Sequence, residues 1–217
     1  MRLRAILPML ALLSAAPLPS DDAGVVRAAL IRVGGDRDTV RCVTPHLIGR
    51  PFEDMRRNLA GSPDILAVTP EVRKTVARQW VAQEHWIGAD DLPLAGAQRD
   101  ALNDAVVSLL LADPFPPPPS ADEAVGELNG TDGTPATPEP VADGPAISPD
   151  LLRPGQQLQP TRGCLSVTLS NVVRHGDLAF VDIGIVGGPL SGSGEQWAFR
   201  RDGAGWRWIA GHQTWIS

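Results

Sequence analysis

Between Pro114 and Pro149 the chain reads PFPPPPSADEAVGELNGTDGTPATPEPVADGPAISP, which holds ten of its 21 prolines, six acidic residues and neither Lys nor Arg. Repeated proline and scarce apolar side chains cannot offset the entropy of ordering, so a disordered or extended acidic linker is predicted over 114–149. That segment constrains everything else, because any folded unit must be assembled from the residues on either side of it. The flanks are nearly neutral: residues 21–113 carry 11 basic and 14 acidic side chains, and residues 150–217 carry 6 and 5. The acidic bias is therefore that of a solvated tether. With 19 basic against 25 acidic residues in all, the chain lacks the concentrated positive surface that phosphate binding needs, which excludes nucleic acid as a partner.

The two flanks differ in period. Before the linker, over 21–113, the pattern is helical. Thr69-Pro70-Glu71 has the cap, first-turn proline and acid of a helix start. Val72, Val76 and Trp80 then recur on one face out to about Ile87. A second helix is expected from Ala97 to Ala112, lined by Leu102, Val106 and Leu110 and ended by Pro114. Two more are expected near Ala23 to Val33 and Pro51 to Leu59, and Trp80, His85 and Trp86 are read as core or rim.

After the linker, over 150–217, the period changes to two. Leu165, Val167 and Leu169 alternate with polar residues, the turn Arg174-His175-Gly176-Asp177 comes next, and Ala179, Val181, Ile183 and Ile185 alternate on the return. A glycine-rich loop, GGPLSGSG, leads to a third strand at Glu195 to Arg201, and Asp202-Gly203-Ala204-Gly205 turns into a fourth from Trp206.

Residues 1–20 begin with Arg2 and Arg4, continue apolar from Ala5 to Ala16 and end in small residues, the layout of a secretory signal peptide. The apolar run is short for a membrane span, so a periplasmic or secreted protein without stable membrane insertion is expected. In an oxidising compartment Cys42 and Cys164 either pair in the one possible disulfide or remain two buried thiols. No Cys-x-x-Cys or nearby His pair completes a metal site on them, and the four histidines are scattered; neither metal nor cofactor is expected.

Four of the six tryptophans fall in GEQWAFRRDGAGWRWIAGHQTWIS. If the turn pairs Arg201 with Trp206, Phe199 stands opposite Trp208 and Trp197 opposite Ala210. One face then carries Trp197, Phe199, Trp206 and Trp208, either as the inner wall of a core facing the helices or as a binding surface. The other, with Ala198, Arg200, Arg207 and Ile209, reads as wetter. In an unbulged strand His212 joins the aromatic side. Asp182 shares a side with Phe180, and if that side is also the aromatic one, a carboxylate and an imidazole meet in an apolar concavity as a general acid–base pair. A bulge near Gly211 would turn His212 away. Among nucleophile and phosphate motifs, the glycine loop lacks a Gly-Lys-Ser/Thr ending, and neither Gly-x-Ser-x-Gly nor His-Glu-x-x-His occurs.

Helices followed by a meander ending WAFRRDGAGWRWIAGHQTWIS resemble the NTF2-like superfamily, including its SnoaL-like members. Trp197, Phe199, Arg201, Gly203, Gly205, Trp206 and Arg207 match the pattern of its last strands. The resemblance implies an α+β cone with a pocket between helices and sheet, used for small-molecule binding, isomerisation, hydrolysis or protein association. The long Pro-rich insert departs from it, and a Cys42–Cys164 bridge would restore a single unit.

The expected fold is thus α+β, with N-terminal helices packed on a C-terminal four-stranded antiparallel sheet and a long disordered Pro-rich insert between them. Two functions are expected of it. The first is a non-catalytic binding or accessory protein of the cell envelope, with a small molecule or envelope protein as partner. The second is a small-molecule isomerase or hydrolase using Asp182 and His212.

Overall fold

The computed structural model describes residues 20–34, 41–61, 69–94, 96–112, 145–153, 155–158, 164–188 and 191–217. Residues 1–19 of the expected signal peptide and residues 114–144 of the expected linker lie outside the described residues. Helices α1 (Ser20–Val33), α2 (Glu53–Gly61), α3 (Pro70–Val81) and α4 (Gly96–Leu110) combine with strands β1 (Arg41–Val43), β2 (Ile87–Gly88), β3 (Gln156–Leu158), β4 (Leu165–Leu169), β5 (Val173–His175), β6 (Leu178–Gly188), β7 (Ser191–Asp202) and β8 (Gly205–Ile216). The fold is α+β.

The sheet is larger than the expected four strands and is mixed. Its eight strands run β2-β8-β7-β6-β4-β1-β3, with β5 also paired to β6. The expected meander is its centre, where β4, β6, β7 and β8 pair antiparallel. Around it β1 runs parallel to both β3 and β4, and β2 caps the other edge along β8. The added strands are two or three residues long, too short to show alternation in the sequence. Because β1 and β2 come from the first half of the chain and sit on opposite sides of the meander, both halves build one sheet.

The same union appears in covalent form. Cys42 in β1 is bonded to Cys164 just before β4, with Cα atoms 5.7 Å apart. Near it, the last residues assigned to the linker belong to the fold: Ala146 bridges to His46, and Ile147, 2% exposed, donates its N–H to the Pro45 carbonyl and enters the core.

The helices cover both faces of the sheet. On one side α1 lays Val25, Val26, Ala29, Leu30 and Val33 against Val167, Leu169, Val181, Trp197 and Phe199. Asp21, in the first turn of α1, pairs with Arg174 and Arg201, so the carboxylate both complements the helix dipole and ties the helix to the sheet edge. On the other side Ala77 and Val81 of α3 and Leu102, Val106 and Leu110 of α4 enclose Phe180, Ala198 and Ala210 with Phe52 and Trp86. The face expected to be wetter is therefore a second core.

Two details of α3 differ from the spacing rule. Its buried stripe centres on Ala77 and Val81, leaving Val72 44% exposed, and it ends at Val81 so that Trp86 and Ile87 leave the helix toward β2 and the sheet. Trp86 is buried in the core and His85 is exposed. No helix among the described residues is long and apolar enough to cross a membrane.

Candidate functional site

The register of β8 decides which side chains meet. Arg201 faces Trp206 and Phe199 faces Trp208, but Ala198 then faces Ala210, so Ile209 is an extra residue and Trp197 stands opposite Gly211 rather than Ala210. The parity of β8 reverses there. Trp206 and Trp208 stay on the α1 side with Trp197 and Phe199, while Ala210 and His212 turn to the opposite side. Of the two expected arrangements the strand takes the bulged one, which turns His212 away from the aromatic side; the extra residue is Ile209, two before Gly211. A second shift between Gly194 and Glu195 leaves Thr214 unpaired and brings Trp215 to the side of His212.

The aromatic wall thus lies on the α1 side. Phe199 is fully buried and Trp197 is 5% exposed beneath α1, with Trp206 and Trp208 packed beside them. Arg32 of α1 stacks on this wall, its guanidinium carbon 3.3 Å from the Trp208 ring centroid and 5.4 Å from that of Trp197. None of the four residues named as a candidate binding surface lines the main cavity.

That cavity, of about 620 Å³, lies on the other face, between the sheet and the segment Ile48–Met55 that leads into α2. It is the size of a small-molecule site. Asp182 and His212 both line it, as do Glu84, Ser170, Gln196 and Trp215. Asp182 reaches it because β6 alternates: Leu178 and Phe180 point into the core beneath α3 and α4, and the next residue on that side is Asp182, past the covered region.

Asp182 and His212 do not touch; Gln196 stands between them. On β7 it faces both, paired with Asp182 across one strand boundary and His212 across the other. Its Nε2 donates to Asp182 Oδ1 at 2.7 Å, and its Oε1 lies 3.0 Å from His212 Nε2. His212 Nδ1 lies 3.1 Å from Glu84 Oε2, and the ring packs edge-on to Trp86 with centroids 4.6 Å apart. Ser170 fixes the strand at Asp182: the Asp182 N–H donates to Ser170 Oγ at 2.8 Å, and the Ser170 N–H donates to the Asp182 carbonyl at 2.9 Å. A continuous hydrogen-bonded row thus runs Asp182, Gln196, His212, Glu84.

Burial sets the electrostatics of the row. It pushes the Asp182 carboxyl up to about 6; the Gln196 hydrogen bond opposes this and the Asp54 carboxylate adds to it. Burial also lowers His212 below its ordinary value, against the pull of Glu84, the backbone hydrogen bond at Gln213 and Glu195. Burial thereby brings Asp182 toward neutral pH, where a side chain can take up and release protons, and favours the neutral imidazole of His212.

Trp215 forms the outer wall, 43% exposed. Its indole lies flat on three glycines of the neighbouring strands. A Cβ at Gly194 would stand 1.9 Å from its Nε1, one at Gly192 3.0 Å from its ring, and one at Gly184 3.8 Å. The glycine-rich loop thus supplies the floor for an aromatic ring.

Glu84, Ser170 and Gln196 were not singled out by the sequence. Glu84 comes after a helix end without a motif, and Gln196 reads as an ordinary polar position beside Trp197. The signal available was parity, since Gln196 must lie on the side opposite Trp197 and Phe199. Among the described residues no three His, Cys, Asp or Glu side chains converge to hold a metal ion. No family model, curated protein or solved structure matches the chain.

Proposed function

We propose that the protein is an exported small-molecule enzyme of isomerase or hydrolase type, with Asp182 as the acid–base residue and His212 as its partner through Gln196. The observation that carries this reading is the hydrogen-bonded row Asp182, Gln196, His212, Glu84, which lines the cavity and is buried at Gln196 and His212. In the reaction, the Asp182 carboxylate takes a proton from the bound molecule, or from a water attacking it, leaving the electron pair on the substrate. The resulting acid returns the proton to the product. Apolar walls from Phe52, Met55 and Trp215 suit a partly apolar substrate, and Arg50 supplies a cation for a polar end. A pocket between helices and sheet is also what the NTF2-like resemblance implies. The Cys42–Cys164 disulfide and the charged-then-apolar opening of the sequence support export.

The half-exposed Trp215 at the mouth favours a second reading, an envelope protein that holds a ligand without turning it over. One experiment separates them. A panel of small ketones and esters is assayed against the full chain and Asp182→Asn, with binding followed by Trp215 fluorescence. Turnover that falls at least about 100-fold in Asp182→Asn while binding persists supports the enzyme. Binding at the cavity with no turnover in either protein supports the second reading. Ligands that bind only against the α1 side contradict both.

A further inference from the structure

We infer that Gln196 makes Asp182 and His212 share a single acid proton, each being protonated only when the other is not. The amide of Gln196 is 4% exposed, has one donating and one accepting end, and is held between the two groups. In the orientation of the structure, Nε2 donates to Asp182, which requires an acceptor there and suits an ionised carboxylate. Oε1 then faces His212 Nε2, so that nitrogen must carry a proton. The other ring nitrogen faces the Glu84 carboxylate, so the row is satisfied by an imidazolium.

Turning the amide over gives the only other fully satisfied arrangement. Protonated Asp182 donates to Oε1, Nε2 donates to an unprotonated His212 Nε2, and His212 Nδ1–H still donates to Glu84. The two arrangements hold the same number of protons. Passing between them, the His212 Nε2–H bond breaks and an O–H bond forms on Asp182, with nothing gained from or lost to solvent.

The remaining two states are frustrated. With both groups protonated the NH₂ end of the amide meets the protonated carboxyl; with both deprotonated the neutral ring has a single proton, and placing it on Nε2 for Gln196 leaves Nδ1 facing the Glu84 carboxylate. A proton placed on the second Asp182 oxygen would leave Gln196 donating to a neutral carbonyl oxygen, a weaker bond than the charge-assisted one it replaces. The surrounding charges are Glu84 after α3, Glu195 on β7, Asp54 and Glu53 on α2, and Arg50 before it. Glu84 and Glu195 favour the proton on His212, while Asp54 favours it on Asp182. Burial disfavours charge on each group, raising Asp182 and lowering His212.

This coupling belongs to the free protein and does not depend on whether the cavity turns over a ligand. It is tested on the full chain by following the Asp182 carboxyl carbon and the His212 ring nitrogens by NMR between about pH 4 and pH 8, with signals assigned through Asp182→Asn and His212→Gln. Two proton-release steps at least about two pH units apart are expected, each visible at both residues. In Gln196→Met, which keeps the side-chain length without the amide, the steps are expected to draw within about one unit. An unchanged separation in Gln196→Met, or independent single steps in the unaltered protein, overturns the inference. Should Gln196→Met fail to fold, the unaltered protein decides alone. Where Asp182 is protonated, neutral His212 must carry its proton on Nδ1, and an Nε2–H tautomer there contradicts the coupling.

Discussion

Trp208 and His212 lie in the same strand and on opposite faces of the sheet, because Ile209 between them is an extra residue with no partner on β7. One packs under α1 and the other lines the cavity. Deleting Ile209 should remove the bulge but keep Ala198 opposite Ala210 and Gln196 opposite His212, so His212 stays on the cavity face. A loss of about 1 to 3 kcal/mol is expected, because the Ile209 side chain that packs against the second core is gone and the strand must straighten. Denaturant unfolding together with the His212 ring signals checks this; a variant in which His212 leaves Gln196 would show that the flanking register does not set the site.

The indole of Trp215 rests on Gly194 with no room for a methyl group. Gly194→Ala should expel it from the cavity mouth, cost about 1 to 3 kcal/mol and red-shift tryptophan emission. Adding Trp215→Ala should recover most of the lost stability, because the clash is then gone. Additive losses in the double variant would place the strain elsewhere.

The raised Asp182 carboxyl makes stability depend on pH. A carboxyl whose folded value is lifted from 3.8 to about 6 binds more protons in the folded state across that window. Its contribution is therefore complete below about pH 4 and is lost as pH rises through about 6, a change on the order of 2 to 3 kcal/mol. His212, lowered, acts oppositely: its contribution is present above the ordinary imidazole range and is lost as pH falls through the folded value. Asp182→Asn keeps an acceptor for Gln196 and removes the charge, so it should be the more stable protein at pH 7.5 and flatten the Asp182 window. Chemical denaturation at pH 4.5 and 7.5 reads both effects; a variant less stable at pH 7.5 counts against a buried carboxylate.

Cys42 and Cys164 are 122 positions apart in sequence and join neighbouring strands that run parallel, β1 and β4. Closing so long a loop restricts the unfolded chain, and replacing both cysteines by Ser should cost about 2 to 5 kcal/mol. Thermal melting with and without reductant should show the same loss for the natural chain and none for the double variant. Equal melting of the natural chain in both conditions would mean the bond adds nothing to stability.

The sequence disclosed what its periods could carry. Leu102, Val106 and Leu110 are buried as the helical spacing requires, and Phe199 opposite Trp208 is a consequence of the turn after Arg201. It could not disclose β1 or β2, whose pairing with distant strands leaves no local pattern, nor the covering of both sheet faces, since Ala198 and Ala210 are too small to announce a core. Parity was legible only until the first irregularity. Ile209 carries no mark of being unpaired, so Asp182 and His212 were placed together on a condition that failed for His212, and the cavity brings them together on the other face. Glu84 and Gln196 became visible only when the strands were side by side, because their roles are contacts rather than motifs.

The most direct test of the account is the titration of the Asp182 carboxyl carbon in the full-length protein. If the cavity is a buried acid–base site, that carbon changes over a range centred near pH 6, shifts with the state of His212, and disappears from the spectrum region in Asp182→Asn. A single transition near pH 4, independent of His212, would make Asp182 an ordinary solvated carboxylate and remove the basis for the site.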